Sequence, residues 1–152
     1  MREPMRTHLL HVVCPHCDAV NRLPQQRLGE GPNCGRCHRG LFTGQPIELD
    51  EKRFGAHVER SDIPVIVDFW APWCAPCRSM APDYERAARQ LEPQLRLAKV
   101  DTEAQASLAA RYGIRSIPTL IAFRQGREIA RHSGALPAAA LMQWMGRHLH
   151  HG

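Results

Sequence analysis

All six cysteines of this 152-residue chain fall into three Cys-x-x-Cys pairs, and this pairing constrains the fold more than any other feature. The pairs are Cys14/Cys17, Cys34/Cys37 and Cys74/Cys77. A framework of structural disulfides would need an oxidising compartment. The N-terminal segment has neither the apolar stretch nor the small-residue cleavage site of a secretory signal. We therefore expect a cytoplasmic protein whose paired cysteines bind metal or carry out redox chemistry.

The first two pairs have the spacing of a metal site. Sixteen residues separate Cys17 from Cys34, which is typical of a tetrahedral zinc site with four thiolate ligands. We predict one structural zinc ion, held by Cys14, Cys17, Cys34 and Cys37. Two disulfides are an alternative, and a redox pair at Cys14/Cys17 is another, although residues 18–24 are too short for the helix that such a pair needs. His16 and His38 adjoin the site, and we expect them to be exposed neighbours rather than ligands.

The chain changes character near residue 48, which predicts two domains. Residues 1–46 are rich in Gly and Pro and show no helical period, so we interpret them as a four-cysteine zinc-binding module. Residues 47–152 alternate between strand and helix patterns, which predicts an α/β domain with a central mixed sheet flanked by helices. Strands are predicted at 47–49, 65–70, 95–100, 119–123 and 127–130. Helices are predicted at about 50–58, 77–91 and 104–112 and from Pro137 onward.

The third pair lies where a buried strand ends and an amphipathic helix begins. A cysteine at a helix N-terminus faces unpaired N–H groups and the positive end of the helix dipole, both of which favour the thiolate. Cys74 is therefore predicted to have a depressed pKa and to be nucleophilic. Cys77, one turn later, is predicted to be more buried and able to form a disulfide with Cys74. A third metal half-site is the alternative, but it lacks a partner pair.

Three further residues stand out near this motif. Asp68 interrupts an apolar strand, and a buried carboxyl group raises its pKa, so it is suited to accept the proton of Cys77. The alternative is an acid at the strand edge that faces water. Lys99, on a neighbouring strand, would tune the charge of Asp68 unless it is an ordinary surface lysine. Pro118 precedes a strand and marks a turn or a cis bond.

Together these residues resemble the thioredoxin family over about residues 47–150. The resemblance is carried by residues 67–77 (VDFWAPWCAPC), 98–101 (AKVD) and 112–119 (YGIRSIPT), with Gly126 and Gly134. With the preceding four-cysteine module, the chain is similar to the zinc-containing second type of bacterial thioredoxin. The resemblance implies a thioredoxin fold with a small N-terminal zinc-ribbon-like module.

The resemblance also implies roles for individual residues. It makes Cys74 the nucleophile and Cys77 the resolving thiol, with Asp68 the buried acid and Lys99 its neighbour. It further implies a group that shapes the substrate site: Trp73, Ala75, Pro76, Ile117, a cis Pro118 and Gly134. The family usually has Gly where this chain has Ala75. Because Ala favours a helix over Gly by up to about 1 kcal/mol, we expect a stiffer first turn of the helix and a slightly altered reduction potential of the cysteine pair.

The predicted function is that of a protein-disulfide reductase. Its implied partners are target proteins with accessible disulfides and a flavoprotein, thioredoxin reductase, as electron donor. One alternative is a partner-binding module or a redox-switched, chaperone-like module; another is an oxidase or isomerase.

Composition narrows the classes of partner. The net charge of +5 is spread along the chain without a run of like charges, and no apolar run approaches the roughly 20 residues of a membrane span. We therefore expect no nucleic acid, no membrane and no organic cofactor. We expect the C-terminal His148, His150 and His151 to form a solvated tail.

Overall fold

A computed structural model describes residues 8–149 of the protein. We call residues 8–46 the N-terminal module and residues 47–149 the sheet domain. The module forms a two-stranded sheet, and the sheet domain forms a five-stranded one. None of the helices in residues 8–149 has the length and hydrophobicity that crossing a bilayer requires.

The N-terminal module is more regular than its sequence predicts. Strands β1 (Leu9–Val13) and β2 (Val20–Pro24) pair in an antiparallel hairpin, and a 3-10 helix (Gln25–Glu30) follows. Apolar side chains of the module are buried in a small cluster with two of the cysteines and Ile63 of the sheet domain: Val12, Leu23, Leu28 and Leu41. The module therefore completes its core with a residue from the sheet domain.

The sheet domain follows the predicted order of elements. Its strands are β3 (Ile47–Glu48), β4 (Val65–Trp70), β5 (Arg96–Asp101), β6 (Thr119–Arg124) and β7 (Arg127–Ser133). Its helices are α1 (Glu51–Glu59), α2 (Ala75–Leu91), α3 (Ala106–Arg111) and α4 (Ala138–Gly146).

The five strands form a mixed sheet in the order β3-β5-β4-β6-β7. Strands β3 and β4 both run parallel to β5, whereas β6 is antiparallel to β4 and β7 is antiparallel to β6. Strand β4 is central, and the apolar run that predicted its burial on both faces is indeed buried. The predicted α/β class with helices flanking a mixed sheet is confirmed.

Helices cover both faces of the sheet because the strand residues alternate in direction. Phe54 and Val58 of α1 and Leu108 of α3 pack on one face, against residues that include Val67 and Phe69. Residues of α2 and α4 pack on the other face, against Ile66, Leu97, Leu120 and Ala122. The odd and even positions of β4 therefore face different helices, and Asp68 shares the face of Ile66 that α2 covers.

Element boundaries differ from the sequence predictions in a few places. Helix α2 begins at Ala75 and continues through Pro82, and α3 begins only at Ala106, after a series of turns. Strand β7 continues to Ser133, because its pairing with β6 extends beyond a register shift near Phe123 as far as the Thr119–Ser133 pair. His148 is not solvated, since it is buried with its ring 4.8 Å from that of Trp144, whereas His150 and His151 lie outside the described residues.

A polar clamp attaches the module to helix α1. Asp18, which directly follows the cysteine at 17, accepts hydrogen bonds from Arg53 Nε at 3.0 Å and from the buried His57 Nε2 at 2.7 Å. Arg53 also donates to the carbonyl of Pro15 at 2.7 Å. Burial lowers the pKa of His57 to about 4, so at neutral pH a neutral imidazole donates to the Asp18 carboxylate.

A buried ion pair makes the second attachment. Arg96 Nη1 lies 3.3 Å from Glu92 Oε2, and both side chains are only 3% exposed. Arg96 Nη2 donates to the carbonyl of Val13 at 2.9 Å, and Glu92 Oε1 accepts from the amide of Gly44 at 2.8 Å. Arg96 thus binds the module backbone near its start, at Val13, and Glu92 binds it near its end, at Gly44. Buried charges need such partners, because removing one would leave the other uncompensated.

These attachments place the module at one end of the sheet. Arg96 begins β5, and Asp62 lies just before β4. The Asp62 amide donates to the His11 carbonyl, and the Asp62 carboxylate accepts from the His11 amide. The cysteine pair at 74 and 77 follows the opposite end of β4, about 20 Å away along a six-residue strand.

We predict that Arg53→Ala loosens the module. The change removes the hydrogen bonds to Asp18 and Pro15 and leaves their acceptors without this partner, which should lower the free energy of unfolding by about 2–3 kcal/mol. Urea unfolding measures this loss, and hydrogen exchange in β1 and β2 reports whether the module loosens first. Arg86→Ala is the matched control, because the Arg86 side chain is 54% exposed and its pair with Asp83 should contribute under about 1 kcal/mol. Equal losses in the two variants would contradict the clamp.

Candidate functional site

The central strand delivers a cysteine pair to the start of helix α2. Cys74 is the N-cap residue, and its Sγ accepts a hydrogen bond from the amide of Cys77 at 3.3 Å. The two cysteines are joined as a disulfide, with their Cα atoms 5.3 Å apart. The spacing of three residues within one helical turn allows this bond, as the sequence predicts.

The local sequence explains why a helix starts here. Ala75 is the first helical residue, and Pro76 occupies the first turn, where a missing amide hydrogen costs nothing. The amide of Cys77 in that turn points toward Cys74 Sγ, as does the positive end of a 17-residue helix. When the disulfide opens, these groups stabilise a negative charge on the sulfur of Cys74.

The surroundings of the dithiol are apolar and mostly enclosed. Cys74 is 4% exposed and Cys77 is 2% exposed, so the difference in burial expected from the sequence is small. Ala71, Trp70 and Ile117 pack against the pair. Trp73 is 62% exposed beside it, which leaves a large aromatic surface next to the sulfur atoms.

The loop before β6 faces the dithiol from the other side. The peptide bond between Ile117 and Pro118 is cis, as the resemblance implies, and the Ile117 carbonyl oxygen lies 3.8 Å from Cys74 Sγ. The amide of Gly134 donates to the carbonyl of Pro118 at 2.8 Å and fixes this loop. Gly134 has a φ of +101°, and no atom lies within 4 Å of the position that a Cβ would take. A side chain there would be strained and would fill the space beside the loop.

Asp68 is the buried acid that the sequence predicts. It is 1% exposed in the middle of β4, which excludes the alternative of an edge residue in water. Neither carboxylate oxygen has a hydrogen-bond partner among residues 8–149. Desolvation raises the pKa of Asp68 to about 7, while the charge of Lys99 lowers it and that of Glu48 raises it. A carboxyl group with such a pKa can accept or release a proton at neutral pH.

Lys99 is held beside Asp68 by the sheet. The two residues are direct partners across β5 and β4, so their side chains lie on the same face. Lys99 Nζ lies 4.2 Å from the centroid of the Trp70 ring, a cation–π contact that fixes the ammonium group near the acid. This placement favours the tuning interpretation of Lys99 over that of a free surface lysine.

The other four cysteines converge in the N-terminal module. Their sulfur atoms all lie within 4.8 Å of one another, and the Sγ atoms of Cys14 and Cys37, like those of Cys17 and Cys34, are 3.6 Å apart. A tetrahedral zinc ion with Zn–S bonds of about 2.3 Å holds its sulfurs about 3.8 Å apart. The donor set and its dimensions therefore fit Zn²⁺.

Donors around the cluster also suit thiolates. The amide of His16 donates to Cys14 Sγ at 3.3 Å, and the amide of Arg36 donates to Cys34 Sγ at 3.3 Å. The amide of Cys37 and Asn21 Nδ2 each donate to Cys34 Sγ at 3.5 Å, and with the Arg36 amide they lower the pKa of the Cys34 thiol to about 5. Burial instead raises the pKa of the Cys14 thiol to about 12. The His16 and His38 side chains are exposed, as expected of neighbours rather than ligands.

Several functional contacts escaped the sequence analysis. Glu48 gave no motif, yet it is the direct partner of Lys99 on β3. Arg53 and Asp18 are separated by 35 residues and share no pattern that predicts a bond between them. Arg96 did carry a signal, because it is a charge at a buried strand position and lies four residues after Glu92, the spacing of a helical ion pair.

Comparisons with known proteins agree with this geometry. The family model described as thioredoxin matches residues 45–147, and the one described as thioredoxin 2, N-terminal, matches residues 13–39. The chain is 46% identical to thioredoxin C-3 of Corynebacterium nephridii over 138 residues, which covers 91% of this chain and 94% of that protein.

Two cyanobacterial relatives match over a shorter stretch. Thioredoxin 1 of a Nostoc species is 43% identical over 102 residues, which is 67% of this chain and 95% of the relative. Thioredoxin 1 of Synechococcus elongatus is 46% identical over 101 residues, which is 66% of this chain and 94% of the relative. The chain belongs to the thioredoxin family of disulfide oxidoreductases and carries a four-cysteine zinc-ribbon module at its N-terminus.

Proposed function

We propose that the protein is a protein-disulfide reductase that uses the Cys74/Cys77 dithiol by thiol–disulfide exchange. The observation that carries this proposal is a disulfide-forming pair at the start of α2, with Asp68 buried on the face of β4 that α2 covers. The family membership of the chain supports the same reaction class.

The first step is attack by Cys74. Its thiolate attacks one sulfur of a target disulfide, forms a mixed disulfide and releases the other target sulfur as a thiolate. The Cys77 amide and the positive end of the α2 dipole stabilise the anionic sulfur before the attack, so that the nucleophile is available at neutral pH.

The second step releases the reduced target. The Cys77 thiol gives its proton to the Asp68 carboxylate, and the resulting thiolate attacks Cys74 Sγ. The second target sulfur leaves as a thiolate and takes up a proton. Two electrons pass from the dithiol to the target, and the protein is left with the Cys74–Cys77 disulfide. An external flavoprotein, thioredoxin reductase, returns the dithiol to its reduced state.

The surface around the dithiol suits an extended peptide. The Ile117 backbone beside the cis Pro118 offers hydrogen-bonding groups to an extended strand, and the open space at Gly134 leaves room for it. Trp73 supplies an exposed apolar surface at one side. Recognition through backbone groups tolerates many side chains, which suits a reductase of several target proteins.

We propose that the N-terminal module, residues 1–46, binds one zinc ion per chain and has a structural role beside the catalytic domain of residues 47–152. The four clustered sulfurs and the match to the N-terminal family model support this. A site with four protein ligands leaves no open coordination position for a substrate, so the ion would supply only folding free energy. Four cysteines kept as thiolates suit a reducing compartment, which supports a cytoplasmic location.

Substitution of each active-site cysteine separates the two steps. We expect Cys74→Ser to abolish insulin reduction, because no nucleophile remains. We expect Cys77→Ser to accumulate a mixed disulfide with the target, visible by mass spectrometry and removed by dithiothreitol. Turnover in Cys74→Ser would contradict the proposed function.

We predict that Asp68→Asn stabilises the protein and slows the second step. The pKa of Asp68 is about 7 in the folded protein and 3.8 ordinarily, so the folded state binds this proton more tightly. The free energy of unfolding therefore falls as the pH rises from about 4 to 7, and the destabilising effect of Asp68 is complete above pH 7. Asn cannot ionise, and the free energy of unfolding at pH 8 should rise by up to about 4 kcal/mol. Urea unfolding at pH 8 and pH 4 measures the difference, which should vanish at pH 4. A gain of equal size at both pH values would show that ionisation is not its cause.

Metal analysis tests the zinc module. We expect one zinc ion per chain in the wild-type protein and loss of zinc to a chelator in Cys34→Ser, because only three thiolates remain. His16→Ala is the matched control, since this exposed side chain adjoins the cluster without joining it, and it should keep its zinc. Insulin reduction should persist in Cys34→Ser, because the dithiol lies at the far end of the sheet. Equal zinc retention in the two variants would overturn the ligand assignment.

A further inference from the structure

Three charged side chains form a row across the sheet. Glu48 on β3 is the direct partner of Lys99 on β5, and Lys99 is the direct partner of Asp68 on β4. Direct partners place their side chains on the same face of a sheet, about 5 Å apart. Lys99 therefore stands between two carboxyl groups, one on either side.

The row runs from water into the protein interior. Glu48 is exposed on the edge strand, Lys99 is partly buried and Asp68 is fully buried. The ammonium group of Lys99 rests over the Trp70 ring, two residues beyond Asp68 on the same strand. Its charge therefore acts on both carboxyl groups, and it forms a close ion pair with neither.

The other elements packed around Asp68 supply few competing charges. Helix α2 contributes Tyr84, whose hydroxyl donates to the carbonyls of Ile66 and Ala98, and it also carries Cys77. Strand β6 places the apolar Leu120 opposite Asp68. Asp101, further along β5, acts on Glu48. Glu48 is consequently the carboxylate that stands across Lys99 from the buried acid.

We propose that Glu48 is a positioning residue for the proton transfer, because it shares Lys99 with Asp68 and so keeps the buried acid able to hold a proton at neutral pH. With Lys99 bound to Asp68 alone, the ion pair would hold Asp68 in its charged form. This inference rests on the proposed role of Asp68 as the proton acceptor for Cys77. Glu48 touches neither the dithiol nor a substrate, and it acts through Lys99 and through its charge.

The electrostatics and the backbone support this assignment. Desolvation raises the pKa of both Asp68 and Glu48, and the charge of Lys99 lowers both against it. The charge of Glu48 raises the pKa of Asp68 further. Two carboxylates around one ammonium group leave an excess negative charge, and protonation of the more buried acid removes it at least cost. Arg53 Nη1 donates to the Glu48 carbonyl at 2.9 Å and fixes this short strand against α1.

The test is a titration of Asp68 itself in Glu48→Gln. The carbon-13 signal of the Asp68 carboxyl group is followed against pH in the reduced full-length protein. We expect the titration midpoint of Asp68 to fall by about 0.3 pH units. At pH 6 this shift makes the ionised fraction of Asp68 about twofold larger. The release of target from the mixed disulfide should then be faster at pH 6 and unchanged at pH 8.

Two further variants make the result specific. Glu59→Gln removes the same charge from the far end of α1, beside the turn at Gly126, and should leave the midpoint where it is in the wild type. Glu48→Asp keeps the charge and should restore most of the wild-type midpoint.

The titration also separates this proposal from the proposed function. An unmoved midpoint in Glu48→Gln, or an equal shift in Glu59→Gln, overturns the role of Glu48. Insulin reduction that does not depend on Cys74 would instead overturn the reductase mechanism. The titration of Asp68 would then still show whether the charge of Glu48 shifts the pKa of Asp68.

Discussion

The carboxyl group of Asp68, enclosed in the central strand, is the constraint on which the rest of the domain depends. Burial of an unpaired charge is expensive, so the group shifts its pKa toward neutrality rather than stay fully ionised. That shift lowers the stability of the folded protein above pH 7, and it is also what the proposed role of Asp68 as proton acceptor requires. The apolar residues around it on β4 offset the cost, because both faces of that strand are covered by helices. Stability and reactivity are therefore in opposition at this one position.

Polar contacts join the zinc-ribbon module to the thioredoxin domain, in addition to the packing of Ile63 into the core of the module. Asp18 reaches helix α1 through Arg53, and the buried pair of Glu92 and Arg96 bonds the module backbone near both its ends. Such contacts have demanding geometry, so they fix the orientation of the module as well as its attachment. The four-cysteine cluster shapes the same loop that carries Asp18, which links the folding of the module to its docking.

Much of this arrangement could be predicted from the sequence, because its signals are local. The period of the apolar residues indicated the strands and helices of the sheet domain, and the spacing of the cysteines indicated both sites. Asp68 was recognisable because a carboxyl group interrupts an apolar run. The contacts of Arg53 and Glu48 were not predictable, since they join elements distant in the chain and no periodic pattern encodes them. The spacing of Arg96 from Glu92 is a signal for their ion pair, but nothing in the sequence predicts the bond from Arg96 to Val13. The hairpin of the module was missed because its strands are short and bounded by prolines and a metal-site loop rather than by a standard two-residue turn.

The two outer strands of the five-stranded sheet differ in how they discourage intermolecular pairing. Strand β3 is only two residues long, too short to template a second chain. Strand β7 is longer, but Arg127, Glu128 and Arg131 give it a charged rim, and a register irregularity interrupts its pairing with β6. In the proposed function an extended target peptide lies along the Ile117 backbone. The two outer strands, by contrast, resist the edge-to-edge pairing that leads to aggregation.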